Sequence, residues 1–271
     1  MTSRAATALR ITPLLPFGSR RAGRLFERNL LVYRRSWLVI VSGFFEPLFY
    51  LVGIGFGLGA LIGNVEGPGG TSISYTAFVA PALLATSAMN GAVYESTFNM
   101  FFKLKYAKTY DAILSTPLGV GDVALGEVGW ALFRGALYAV GFMIVMLLLG
   151  LVTTPLALLA IPAALLVGFA AAAMGTTATT FMRKWQDFDL IVVVTLPLFL
   201  FSATFFPITV YPEPLRTFVE LTPLYRGVHL IRGLTTNQIE WTLLLDVAYL
   251  LTIGIIGLAI VSRRLGKLLL K

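Results

Sequence analysis

Chemistry in this 271-residue chain has few residue types to work with. There is no cysteine and a single histidine, His229. A disulfide framework, a thiolate cluster, a Cys nucleophile, a His-based metal site and a Ser-His triad therefore all fall away. No G-x-x-x-x-G-K-[ST] loop is present to cradle phosphates. The glycine run from Gly53 to Gly59 lies inside an apolar stretch with no strand before it, so it does not read as a dinucleotide fingerprint. Its four-residue spacings (Gly53 to Gly57, Gly55 to Gly59, Gly59 to Gly63) instead let helices approach closely, within the chain or at a seam between two copies. No catalytic residue and no metal site is expected.

What remains are acids in apolar surroundings, where a charge is costly and marks a function or a pairing. Glu46 stands before Pro47, Glu95 lies in the second apolar stretch and Asp246 near the start of the last. Glu127 and Arg134, seven residues apart, share one helix face and predict an ion pair with each other or with a lipid headgroup. Glu46 and Glu95 either hydrogen-bond between helices or line a polar path. With Phe49, Phe98, Phe199 and Phe205 they form a candidate translocation path, the rings stacking on sugar faces; the alternative is that the rings pack in the core or face lipid.

The elements that must hold these residues follow from composition. With 57% hydrophobic and 13% charged residues and a mean hydropathy of +0.84, the chain is neither an ordinary soluble enzyme nor disordered. It reads as an all-α polytopic membrane protein. Six apolar stretches, about 36–62, 75–102, 123–151, 156–182, 190–206 and 241–261, predict six spans. The fifth is the shortest and is interrupted by Pro197. Continuous runs without a period of two exclude a β-barrel. Alternate connections and both ends carry 17 Lys and Arg on one face against 3 on the other, which puts both termini in the cytoplasm of a cell whose inner membrane the chain spans. The net charge of +8 then reflects anionic membrane lipids and not nucleic acid.

Residues 1–19 read as a cytoplasmic tail and 20–271 as one transmembrane domain. Over 20–35, Arg24, Arg28 and Arg35 fall within about 40° of one another on a helical wheel, opposite Phe26, Leu30 and Tyr33. This predicts an amphipathic helix in the cytoplasmic headgroup layer. The segment 103–121 predicts a short helix over Asp111–Ser115, ended by the restriction that Pro117 places on Thr116, with Asp122 capping the next span. A short, partly apolar cytoplasmic helix has the size of a plug for a groove on another protein. The segment 207–240 is long enough to have structure of its own.

In this order the stretches Glu27–Arg35 (ERNLLVYRR), Glu46–Gly59 (EPLFYLVGIGFGLG), Tyr75–Glu95, Tyr110–Glu127 (YDAILSTPLGVGDVALGE), Phe199–Pro207 and Leu221–Arg232 (LTPLYRGVHLIR) resemble the ABC-2 type exporter permeases. Within that family the chain is most similar to the permeases of nodulation-type lipo-oligosaccharide exporters. The resemblance implies a homodimer or heterodimer of permeases and a separate cytoplasmic ATP-binding subunit, which binds the ATP and Mg; no cofactor belongs to this chain. It places ATPase contact on Tyr110, Asp111, Leu114, Ser115, Thr116, Pro117 and Leu118. It also implies re-entrant external helices before the sixth span, with Phe206, Pro207, Pro223, His229 and Arg232 as an external gate. The stretch 207–212 (PITVYP) is bulkier than the family pattern.

The cargo implied is lipidic or amphipathic, of glycolipid type, with multidrug efflux as the alternative within the family. A membrane-embedded transferase needs acids or histidines clustered at one membrane face, and here they are scattered. A transporter working alone would show inverted repeats, which are not evident. A neighbouring reading frame with a phosphate-binding loop separates these readings.

Overall fold

The computed structural model describes residues 20–34, 37–152 and 154–269. Helix α1 is Arg20–Tyr33. Helix α2 begins at Trp37–Tyr50, widens to i→i+5 turns over Leu51–Leu58 and closes with Gly59–Ile62. A two-stranded antiparallel hairpin follows, β1 Asn64–Glu66 against β2 Ser72–Ser74. Ser74 then caps α3, which runs Tyr75–Tyr106 with wide turns at Glu95–Asn99 and Phe102–Tyr106. The short α4, Thr109–Leu114, leads to α5, Val120–Leu148, whose Asp122 carboxylate accepts from Gly119 N–H at 2.9 Å. Then come α6 Pro155–Thr179, α7 Phe188–Phe201, α8 Glu213–Glu220, α9 Pro223–Thr235 and α10 Thr242–Leu269.

Among the described residues five helices are long and apolar enough to cross a membrane: Phe45–Ile62, Tyr75–Tyr106, Val120–Leu148, Pro155–Thr179 and Thr242–Leu269. The fifth apolar stretch of the sequence departs from the expected 17-residue span. It forms the 14-residue α7, about 21 Å long against a hydrocarbon layer of about 30 Å. The helix stops after Phe201 because Ser202, Ala203, Thr204 and Phe205 turn inward and are buried, Ala203 with φ +55°. A residue with a Cβ adopts that conformation only when neighbours hold it there.

The core forms around α3, buried on almost every side by α5, α6 and α9, with α10 packed along α6. Small residues set these distances. A Cβ added at Gly257 would lie 2.8 Å from the Ala173 Cβ and 3.1 Å from the Ala173 backbone, so α10 and α6 touch nearly backbone to backbone. The predicted glycine seam is divided: Gly55 and Gly59 pack against Thr76, whose hydroxyl donates to Gly55 O at 2.7 Å, whereas Gly53 and Gly57 meet nothing within 4 Å. Gly257→Leu should cost about 1–3 kcal/mol by overpacking and lower the amount of folded protein recovered in detergent, while Gly53→Leu should leave recovery unchanged. Equal recovery of both would contradict the packing assigned to α6 and α10.

One end of the molecule gathers the lysine- and arginine-rich segments. There Leu25 of α1, Met100 of α3, Tyr110 and Ile113 of α4, Val120 and Val123 of α5, and Val261 and Leu265 of α10 form a single apolar cluster. Phe101, Met182 and Phe188 close a smaller one beside it. The hairpin, α8 and α9 lie at the other end.

Candidate functional site

Three groups of residues are brought together, and each departs in some respect from what linear spacing suggested. The first is a buried ionic quartet at the charged end. Glu95, fully buried on α3, accepts from Arg134 Nη1 of α5 at 3.0 Å, from Asn99 Nδ2 at 2.7 Å and from the Tyr33 hydroxyl of α1 at 3.1 Å. Lys103 Nζ lies 3.5 Å from Glu95 and 2.7 Å from Glu127, and Arg134 Nε donates to the Tyr138 hydroxyl at 2.9 Å. The expected pairing of Glu127 with Arg134 is therefore corrected: each takes its partner from α3. Seven residues along one helix are about 10.5 Å of rise, too far for direct contact, whereas α3 lies alongside. The wide turn at Glu95–Asn99 sits at this site, as such turns often do. Of the candidate path, Glu95 is thus an interhelical hub.

Other path residues are dispersed. Phe199 and Phe205 are buried edge to face at 5.2 Å, and Phe98 stacks on Phe188 at 4.2 Å. Glu46 and Phe49 stay on the exposed side of α2, Glu46 within 3.5 Å of Asn90.

The second group is α1 with α4. On α1 the inward residues are Leu25 and Asn29, with Phe26 edge to face on Trp130 at 5.3 Å and Tyr33 at 5.1 Å from the same ring. Leu30, expected on the apolar stripe, is instead 47% exposed, because the buried face is centred one residue earlier. Arg24 and Arg28 are exposed, and Arg35 lies outside the described residues. On α4, Tyr110 and Ile113 are sunk into the basal cluster and Leu114 is half-buried against it; Asp111, Ser115, Thr116 and Pro117 are exposed, and Leu118 is half-buried. Tyr110 is therefore an anchor of this helix. Lys108 opens it in the left-handed region, φ +46°, turning the chain sharply out of α3. Next door, the half-buried Asp187 accepts from the backbone N–H groups of Arg183 (2.6 Å) and Lys184 (3.1 Å), which hold its carboxyl below the usual carboxylate range.

The third group is at the opposite end. Asp246, fully buried on α10, pairs with Arg226 Nη1 at 3.1 Å and with His229 Nδ1 at 2.6 Å, both from α9. Arg232, one turn on, is 6% exposed; its Nε donates to Phe78 O, its Nη2 to Ala203 O, and its guanidinium lies 3.8 Å from the Phe78 ring centroid. This clasp holds the left-handed Ala203. Pro223 starts α9 behind the Thr222 cap, Phe206 is exposed and Pro207 half-buried. Arg226 and Asp246 were not assigned to the site from spacing. The signal was available, since Asp246 is an acid inside the last apolar stretch, near the end where the external arginines cluster.

No group of histidines and carboxylates among the described residues could hold a metal ion. Comparison with known proteins gives the chain its context. The family described as ABC-2 type transporter matches residues 22–236. Nodulation protein J of Rhizobium leguminosarum bv. trifolii is 34% identical over 80% of this chain and 82% of its own length. The protein of the same name from Rhizobium leguminosarum bv. viciae is 30% identical over 93% and 98%, and that from Bradyrhizobium diazoefficiens 35% identical over 77% and 78%. No solved structure matches at a significant level. A polytopic helical chain matched over most of its length in this way belongs to the ABC-2 type transporter family as a transmembrane permease subunit of an ABC exporter.

Proposed function

We propose that this permease carries a lipidic or amphipathic cargo of glycolipid type out of the cytoplasm, driven by a separate ATP-binding subunit seated on the outer face of α4. The observation that carries the reading is the two-sidedness of α4: Tyr110 and Ile113 fasten it to α1, α3, α5 and α10, while Asp111, Ser115 and Thr116 face outward. A push on that face reaches the spans directly. The name shared by the relatives, and the sequence resemblance to lipo-oligosaccharide exporter permeases, favour a glycolipid over a drug. ATP and Mg belong to the partner. A second permease copy pairs with this one along α2 and α7, whose Phe49, Phe56, Leu61, Leu190 and Val193 leave an apolar surface uncovered within the chain. In this reading α7 with the inward-turning 202–205 serves as the remaining crossing, and α8 and α9 are the re-entrant external helices with the gate around His229 and Arg232.

The test is reconstitution of the permease with its ATP-binding subunit in liposomes, with ATP hydrolysis measured against added lipo-oligosaccharide and against hydrophobic drugs. Stimulation by the glycolipid supports the reading, and stimulation by drugs alone replaces it with multidrug efflux. Purified without that subunit, the permease should neither bind nor hydrolyse ATP. Orientation is checked on intact cells. A cysteine placed at Lys108 of this cysteine-free chain should react with an impermeant thiol reagent only after permeabilisation.

A further inference from the structure

At the hairpin end a cavity of about 270 Å³ opens between β1, α3 and α9, lined by Glu66, Phe78, Tyr225, His229, Arg232 and Glu240 among others. Its charge distribution is unusual. Arg232 lies deep, its Nε donating to Phe78 O and its Nη2 to Ala203 O. No carboxylate pairs with this guanidinium among the described residues, since Asp246 is taken by Arg226 and His229. A buried cation without a counter-ion is costly unless an anion reaches it. The two exposed carboxylates of the lining, Glu66 and Glu240, sit on other elements, and Glu240 accepts from the Thr242 hydroxyl at 3.2 Å rather than from Arg232. A ligand that satisfies this lining bears a compact anion for Arg232 and a hydrogen-bonding cation for the glutamates.

Glu240 also lines a second depression, a groove of about 520 Å³ walled by Leu159, Leu166, Leu230, Leu234, Trp241 and Leu244. Those walls belong to α6, α9 and α10, with Trp241 just before α10, and two of the three are long apolar helices, so the groove opens where hydrocarbon chains lie. Trp241, 71% exposed at its edge, has the placement of an interfacial anchor.

We propose that the two depressions together hold one zwitterionic phospholipid of the phosphatidylethanolamine class. Its phosphate meets Arg232, its ammonium donates to Glu66 and Glu240, and an acyl chain lies in the groove beside Glu240. The ammonium matters because a primary amine donates hydrogen bonds to carboxylates and a quaternary one does not. An anionic lipid with a glycerol headgroup supplies the phosphate but leaves the glutamates without a cation. The site lies among the gate residues of the export reading and deepens it, but lipid occupancy is measured without transport, so the two can fail separately.

The experiment titrates the permease, purified with its ATP-binding subunit, with phosphatidylethanolamine, phosphatidylcholine or phosphatidylglycerol in mixed micelles and counts bound lipid by native mass spectrometry. Phosphatidylethanolamine should bind about tenfold more tightly than either of the others, equivalent to about 1.4 kcal/mol. Glu240→Gln, a change at an exposed side chain, should erase that preference with the complex intact, and Arg232→Gln should remove tight binding of all three. Equal binding of the three lipids to the unaltered complex overturns the proposal, as does a Glu240→Gln complex that retains the preference. Inorganic phosphate that displaces the lipid as well as glycerophosphoethanolamine does would also overturn it, by making the pocket a simple anion site.

Discussion

Export by an Asp111→Arg variant is expected to fall to background while its membrane level stays normal. Asp111 projects from the exposed side of α4, opposite Tyr110 and Ile113, so the folded bundle does not depend on it. A reversed charge at a docking surface turns an attraction into a repulsion, and buried interface positions commonly carry about 1–3 kcal/mol each. Association with the ATP-binding subunit should weaken about tenfold or more, read as lost co-purification. Thr116→Trp, on the same exposed side, should act likewise by bulk. Leu114→Ala is less diagnostic, because Leu114 is half-buried against the basal cluster and its truncation loosens α4 itself. If Asp111→Arg and Thr116→Trp both export at the normal rate, the ATPase does not seat here.

The second large effect is on stability. Glu95→Ala leaves Arg134 buried with only the Tyr138 hydroxyl and leaves Lys103 with Glu127 alone. Removing one partner of a buried pair costs about 3–5 kcal/mol, because the remaining charge stays in a poor solvent. The thermal midpoint in detergent should fall by about 10 °C or more. Changing both partners, Glu95→Leu with Arg134→Met, should recover much of that loss, since no stranded charge remains. A double variant as unstable as the sum of its singles would show that the pair does not couple. Tyr33→Phe removes one donor to the carboxylate and should cost far less, about 1 kcal/mol.

Much of the architecture could be read from hydropathy alone, because length and apolarity are properties of a segment taken by itself. Five of the six stretches became helices able to span. The exception shows what hydropathy cannot see. Its final residues, Ser202 to Phe205, are drawn into the interior by Arg232, thirty positions on, so the helix ends where a distant side chain needs a carbonyl. Partner choice was hidden for the same reason. On one helix Glu127 and Arg134 look like a pair; only the neighbouring Lys103 and Glu95 show otherwise. Which face of α4 turns inward could not be decided from six residues; the packing of Tyr110 and Ile113 decides it. The wheel of α1 found an apolar side but missed its centre, since Leu25 and Leu30 are equally apolar and only Trp130 and the basal cluster select between them. The acids and arginines worth watching were visible; their partners were a matter of topology.

The quartet at the charged end holds two carboxylates and two cations. Its summed charge is zero, so moving α3 and α5 together along the membrane normal does no electrical work on the quartet. Carrying one elementary charge through the whole field would require about 2.3 kcal/mol for every 100 mV. Movement of this quartet therefore carries no gating charge, and a variant that neutralises one member would make that movement respond to the voltage.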